Sequence, residues 1–155
     1  MALTTIHLTQ EQIFDKKLCL GYTTKMPPPN KQPGCIFCNP QTLMIRQRSA
    51  RFYVIEDRNP VTAGHLLIIP YRHIINPLDL AAAEMAEAWQ LIQQLTTELQ
   101  HQDATITGFN IGMNCGYDAG QSIFHSHIHL IPRRQGDVEN PLGGVRGVIP
   151  AKQHY

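Results

Sequence analysis

Apolar residues recur along the chain with two different periods. "RFYVIED" (51–57) and "HLLIIP" (65–70) flank the turn-forming "RNPVTAG" (58–64), so they predict two strands joined by a loop. "ATITGFNIGMN" (104–114) places Phe109, Ile111 and Met113 at every second position, the period of a half-buried strand. "SIFHSHIHLIP" (122–132), rich in aliphatic residues and ended by Pro132, predicts another strand. Its core side carries Phe124, Ser126, Ile128 and Leu130. The period lengthens within "LAAAEMAEAWQLIQQLTTELQH" (80–101), where Met85, Trp89, Ile92, Leu95 and Leu99 share one helical face. That predicts one amphipathic helix of roughly five to six turns, capped by Asp79, with Trp89 in the core.

The first third is less regular. Thr9 with Gln12 forms a capping-box pattern, and a short helix there closes at Gly21. "MPPPNKQPG" (26–34) cannot hold a regular element, because its prolines lack donors and fix φ. Residues 1–34 therefore read as an extension and linker, and 35–155 as one domain with a Gly-rich tail, "NPLGGVRGVIP". Strands grouped around a single long helix predict an α+β fold with a mostly antiparallel sheet.

Composition narrows the classes. At 155 residues with 43% hydrophobic and 16% charged residues, the chain can bury a substantial core. A net charge of +1 offers no bulk attraction to nucleic acid or membrane. Short basic clusters at Arg46, Arg48, Arg51 and at Arg133, Arg134 read as solvated surface able to attract an anionic small molecule. No signal peptide and no membrane-length apolar run is visible, and four cysteines without a signal suggest a reducing compartment, so cytoplasm is the expectation.

The chemistry concentrates in two places. His125, His127 and His129 alternate, which in a strand puts three imidazoles on one face across about 13 Å. A metal site, a phosphate-contacting surface and nucleophilic catalysis are all served by such a row; a solvated polar face is the plain alternative. Cys35 and Cys38 form a Cys-x-x-Cys, which is half of a tetrahedral zinc site or a redox pair. Distant ligands would be drawn from His65, His73 and one of the three alternating histidines. Cys19 and Cys115 have no local partner and read as small buried hydrophobes. Before the histidines, Asn114, Gln121 and Ser122 are neutral groups able to meet phosphate oxygens, and Gly116 and Gly120 permit close backbone approach.

"HSHIHLI" resembles the His-φ-His-φ-His-φ-φ signature of the histidine triad (HIT) superfamily, with Ser126 in place of the first apolar residue. "CIFC", "EDRNPVTAGHLLIIPYRHI" and "NCGYDAGQSIFHSHIHLIPR" extend the resemblance, in order, over about residues 35–135, and are similar to blocks of bacterial members. The resemblance implies a five-stranded antiparallel sheet that pairs as a homodimer into ten strands. It implies a nucleotidyl hydrolase or transferase acting at the α-phosphate of a nucleotide, such as a diadenosine polyphosphate or nucleoside phosphoramidate. By position, His127 corresponds to the nucleophile, His129 to a phosphate donor and Ser122 to the leaving-group donor. Asn114 and Gln121 match phosphate contacts, Asp57 a ribose contact, and Ile55 the wall beside the base. Cys35, Cys38, His73 and His125 match the ligands of a structural Zn²⁺, and His65 hydrogen-bonds behind the triad. Phosphorolysis is a variant of this activity, and a nucleotide-binding regulator with little turnover is the alternative from another class. A metalloenzyme with all three alternating histidines on one metal is disfavoured, since the outer rings are too far apart to converge.

Overall fold

Alternation along the strands builds two apolar layers on one sheet. The structure, a computed structural model, describes residues 30–155. The helix expected between Thr9 and Gly21, and the start of the Pro-rich linker, lie outside the described residues.

The strands are β1 (Ile45–Arg48), β2 (Phe52–Glu56), β3 (Leu66–Pro70), β4 (Ile106–Gly112) and β5 (Ile128–Arg134). They form one five-stranded sheet in the order β1-β2-β3-β5-β4, antiparallel throughout. Phe52, Val54, Leu66, Ile68, Ile128 and Leu130 face the long helix α1 (Ala82–Gln102) and form the larger core with it. Tyr53, Ile55, Leu67 and Ile69 face the other way and pack with Phe37 from the Cys-x-x-Cys turn. The second layer is the one that matters for chemistry, because Leu67 is the register partner of His129.

Several expectations are corrected. β1 is absent from the hydrophobic pattern: "IRQR" carries three polar residues in four, and it forms a strand because it pairs with β2 at the sheet edge. β5 begins at Ile128, so His125 and His127 lie in the segment leading into it. Phe124 is accordingly 48% exposed instead of buried. Pro132 sits inside β5 and does not end it. Its carbonyl accepts from Thr62 Oγ1, on the side where β3 pairing has already stopped, so the missing N–H breaks no bond to β3.

The helix is also shifted in phase. Its buried face is Ala88, Leu91, Ile92, Leu95 and Leu99, whereas Met85 and Trp89 are exposed, Trp89 by 54%. The predicted stripe merges two adjacent rows; fully buried Ala88 marks the inward one. Asp79 closes a 3-10 turn, Pro77–Asp79, capped by Asn76, and the N-cap of α1 is Ala81.

Glu84, in the first turn of α1, performs the capping. Its carboxylate accepts from the Ala81 N–H at 2.8 Å and from Arg72 Nε and Nη2 at 3.1 and 2.7 Å. Although burial opposes ionisation, Arg72 and the Ala81 N–H hold this carboxyl below its ordinary range. The pair ties the end of β3, and with it His73, to the helix. Replacing Glu84 with alanine is expected to cost about 2 kcal/mol, since a half-buried guanidinium and an orphan N–H remain. Glu84→Gln should recover part of that loss; equal denaturation midpoints for native protein and Glu84→Ala would contradict the assignment.

Candidate active site and metal cluster

The Cys-x-x-Cys is held against the histidine face of the sheet by a short 3-10 turn, Ile36–Cys38, and by the buried Tyr53 hydroxyl, which donates to the Phe37 carbonyl at 2.6 Å. Phe37 then lies edge-on to both His125 and His127, with centroids 5.9 and 5.4 Å away. His127 and His129 stack edge-to-face at 5.0 Å, so the imidazoles do form a row, although only His129 lies within β5.

At one end of the row four ligand atoms converge. Cys35 Sγ and Cys38 Sγ lie 3.4 and 3.6 Å from His125 Nδ1, Cys38 Sγ lies 3.4 Å from His73 Nδ1, and the two Nδ1 atoms are 3.2 Å apart. Four ligands bonded tetrahedrally at about 2.0–2.3 Å would sit roughly 3.3–3.8 Å from one another, so the cluster can hold a metal ion. Two further contacts fit that use. His125 Nε2–H donates to the Pro70 carbonyl at 2.9 Å, which turns a lone pair on Nδ1 toward the cluster. The Gln32 N–H donates to Cys38 Sγ at 3.3 Å. His125 is fully buried, and burial lowers its pKa to about 4, the neutral state a ligand requires.

The middle of the row carries different chemistry. His127 Nδ1–H donates to the His125 carbonyl at 2.8 Å, which leaves the lone pair on Nε2. At the far end the tautomers follow from a chain of bonds. The Val61 N–H donates to His65 Nδ1 at 3.4 Å, so His65 carries its proton on Nε2, 3.0 Å from His129 Nδ1. His129 therefore accepts at Nδ1 and holds its proton on Nε2, a buried N–H without an acceptor among the described residues. A lone pair on one ring and an unpartnered N–H on the next are complementary to an electrophile flanked by oxygen.

Burial lowers the His129 pKa to about 4, helped by His127 and His65; His65 is lowered for the same first reason, against the pull of Asp57. Unfolded imidazole titrates near 6.5. Below that value the unfolded chain binds more protons than the native one, so this stability is complete above about pH 6.5 and is lost as pH falls toward 4. The unfolding temperature is therefore expected to drop between about pH 7 and pH 5, with a shallower slope in His129→Gln. A flat profile in the native protein would contradict the burial argument.

The other predicted residues are distributed unevenly. Ile55 and Asp57 line a cleft of about 1060 Å³, together with Ile36, Phe37, Leu67 and Ile123. Asp57 Oδ1 accepts from the Asn59 N–H, and Oδ2 lies 3.6 Å from His65 Nε2. Ser122 is exposed on a neighbouring cleft that also reaches Cys35 and His73. Gln121 is buried and its amide is engaged by backbone: it accepts from Gly116 and donates to Ile75 and Ile123. Asn114 donates to the Gly120 carbonyl at 3.2 Å. Both amides thus brace the loop whose sharp reversal relies on Gly116 and Gly120 at φ +91° and +82°. Cys115 is exposed, not buried as expected, because it occupies this same surface loop.

The arginine clusters are largely neutralised within the chain: Arg46 pairs with Glu98, Arg51 with Glu87, Arg133 with Asp137 and Arg134 with Asp103. Arg146 bonds the Lys152 and Gln153 carbonyls of its own tail. Sequence reasoning misses Phe37 and Tyr53 as the residues that seat the Cys-x-x-Cys turn; the alternation in "RFYVIED" is the available signal for Tyr53. Among the described residues, no helix is long and apolar enough to cross a membrane.

Comparison with known proteins places this geometry. The chain is 33% identical over 110 residues to an AP-4-A phosphorylase of Mycobacterium tuberculosis, covering 69% of this chain and 55% of that protein. It is 33% identical over 84 residues to the asymmetrical bis(5'-nucleosyl)-tetraphosphatase of Schizosaccharomyces pombe, covering 54% and 46% of the two chains. The chain thus spans about half the length of these curated relatives. Its fold matches a zinc-bound histidine triad family protein from Mycobacterium smegmatis with a TM-score of 0.63 at 30% identity, covering 69% of this chain and 80% of that one. A model of the HIT domain family matches residues 40–136, well over half the sequence and the whole sheet that presents the histidine row, and the chain belongs to that family.

Proposed function

We propose that the protein cleaves the α-phosphate linkage of a dinucleoside polyphosphate or nucleoside phosphoramidate through a covalent nucleotidyl adduct on His127. The observation that carries this reading is the His127 Nδ1–H bond to the His125 carbonyl, which leaves Nε2 as the nitrogen available to attack. The nucleoside occupies the larger cleft, with Ile55 and Leu67 beside the base and Asp57 toward the ribose. The His127 lone pair forms a P–N bond as the bond from phosphorus to the leaving group breaks, and the leaving group departs with that electron pair. His129 Nε2–H bonds a phosphoryl oxygen, and the Ser122 hydroxyl bonds the departing group. Water then displaces the imidazole and loses its proton to solvent, which restores Nε2.

Orthophosphate in place of water gives the phosphorolytic variant. A relative named as a phosphorylase and another named as a tetraphosphatase support the two acceptors equally. Cys35, Cys38, His73 and His125 hold Zn²⁺ in this reading; with four protein ligands it would be a structural tie with no open position. Pairing of two copies into a ten-stranded sheet belongs to the same proposal, and β1 and β4 are the edge strands that offer themselves.

The test is to mix the protein with α-labelled diadenosine tetraphosphate, quench in alkali within the first turnover, and map the label. Label on the His127 peptide is expected. Turnover with no label there would overturn the proposal, and parallel reactions with and without phosphate identify the acceptor from the products.

A further inference from the structure

We infer that a second cleft, floored by the Cys-x-x-Cys turn, receives the departing nucleoside of a dinucleoside polyphosphate, with Phe124 stacking on its base. The inference rests on the reading above and adds a leaving-group site to it.

The second cleft is about 520 Å³, within the size range of small-molecule sites. It shares Gly34, Ile36 and Ile123 with the larger cleft, so the two are halves of one trough divided by the Ile36–Ile123 ridge. Three large apolar side chains stand open to solvent around it: Ile36, Ile75 and Phe124, at 54, 53 and 48% exposure. A small amine leaving group would make no use of such a surface. A second base would, since every base offers a π-face to an aromatic ring regardless of sequence.

The polar groups agree. Ser122 lies in the lining of this cleft and not of the larger one, so the residue proposed to meet the leaving group is on the leaving side. Lys31 is exposed and next in sequence to Gln32, which lines this cleft. Phe124 lies three positions before His127 in the chain, on the segment that carries both His125 and His127.

Binding without turnover tests this. The His127→Asn chain is titrated calorimetrically with adenosine tetraphosphate and with diadenosine tetraphosphate, which differ by the second nucleoside and by the extra charge of the free terminal phosphate. The dinucleotide is expected to bind about tenfold tighter, with Phe124→Ala removing the gain and Phe124→Tyr keeping it. Equal affinities, or a gain that survives Phe124→Ala, would overturn the inference. So would a Phe124→Ala chain that changes its oligomeric state instead of its affinity, because a protein surface would then be the occupant. An adduct on His127 without the binding gain removes only this inference, whereas the gain without any adduct removes only the chemistry proposed above.

Discussion

Replacing His127 with asparagine is expected to abolish the covalent adduct and to lower turnover of diadenosine tetraphosphate by at least about a thousandfold. Asparagine is the informative choice because its side-chain amide can still donate to the His125 carbonyl, the bond that orients the native ring. What it lacks is a nucleophilic lone pair. The fold should survive because asparagine keeps that bond, with a modest loss of stability where buried His127 packs edge-on against Phe37. A residual rate well above background is expected from binding and from the His129 N–H alone. If the His127→Asn chain turns over substrate within a few-fold of the native rate, His127 is a binding residue, and the divided roles assigned to the three imidazoles collapse.

The second large effect concerns the cluster at the other end of the row. Cys38→Ser, or treatment of native protein with a strong chelator, is expected to remove one zinc per chain and to lower the unfolding temperature steeply. A site occupied at about a thousand times its Kd contributes about 4 kcal/mol. For a chain of this size that corresponds to roughly 10–15 °C. The loss is large because the cluster ties the Cys-x-x-Cys turn to His73 after β3 and to His125 before β5, closing a loop that spans 90 residues. Metal content by mass spectrometry and unfolding by fluorimetry decide the matter. A Cys38→Ser chain that keeps both its zinc and its stability would refute the ligand set. Native protein that stays folded without zinc yet forms no adduct would show the metal to be part of the chemistry.

Much of this site is legible without coordinates. The alternation of His125, His127 and His129, the Cys-x-x-Cys and the ordered blocks around them point to the family and to the four Cys and His side chains that the fold brings within 4.8 Å of one another. Four of the five strands are visible as alternating or continuous apolar runs. Other features escape for identifiable reasons. β1 is polar because an edge strand needs only one partner, and hydrophobic pattern does not register pairing. Spacing puts Trp89 in the core because it defines an apolar helical face without its phase relative to the sheet. By type Gln121 is a free phosphate contact, yet three backbone groups take up its amide, which only a folded loop reveals.

Periodicity and chemical type are written in the chain itself: which segments extend, which one coils, and which side chains are able to ligate or attack. Both are local properties, set by covalent spacing over a few residues. Convergence and protonation belong to the folded molecule alone. Cys35 meets His125 only through the strand order β1-β2-β3-β5-β4, and each imidazole's free nitrogen is set by its non-local or main-chain partner: Pro70 for His125, the His125 carbonyl for His127, and His65 for His129. A ring's composition is the same at all three positions, so its role follows from which nitrogen its neighbours leave free.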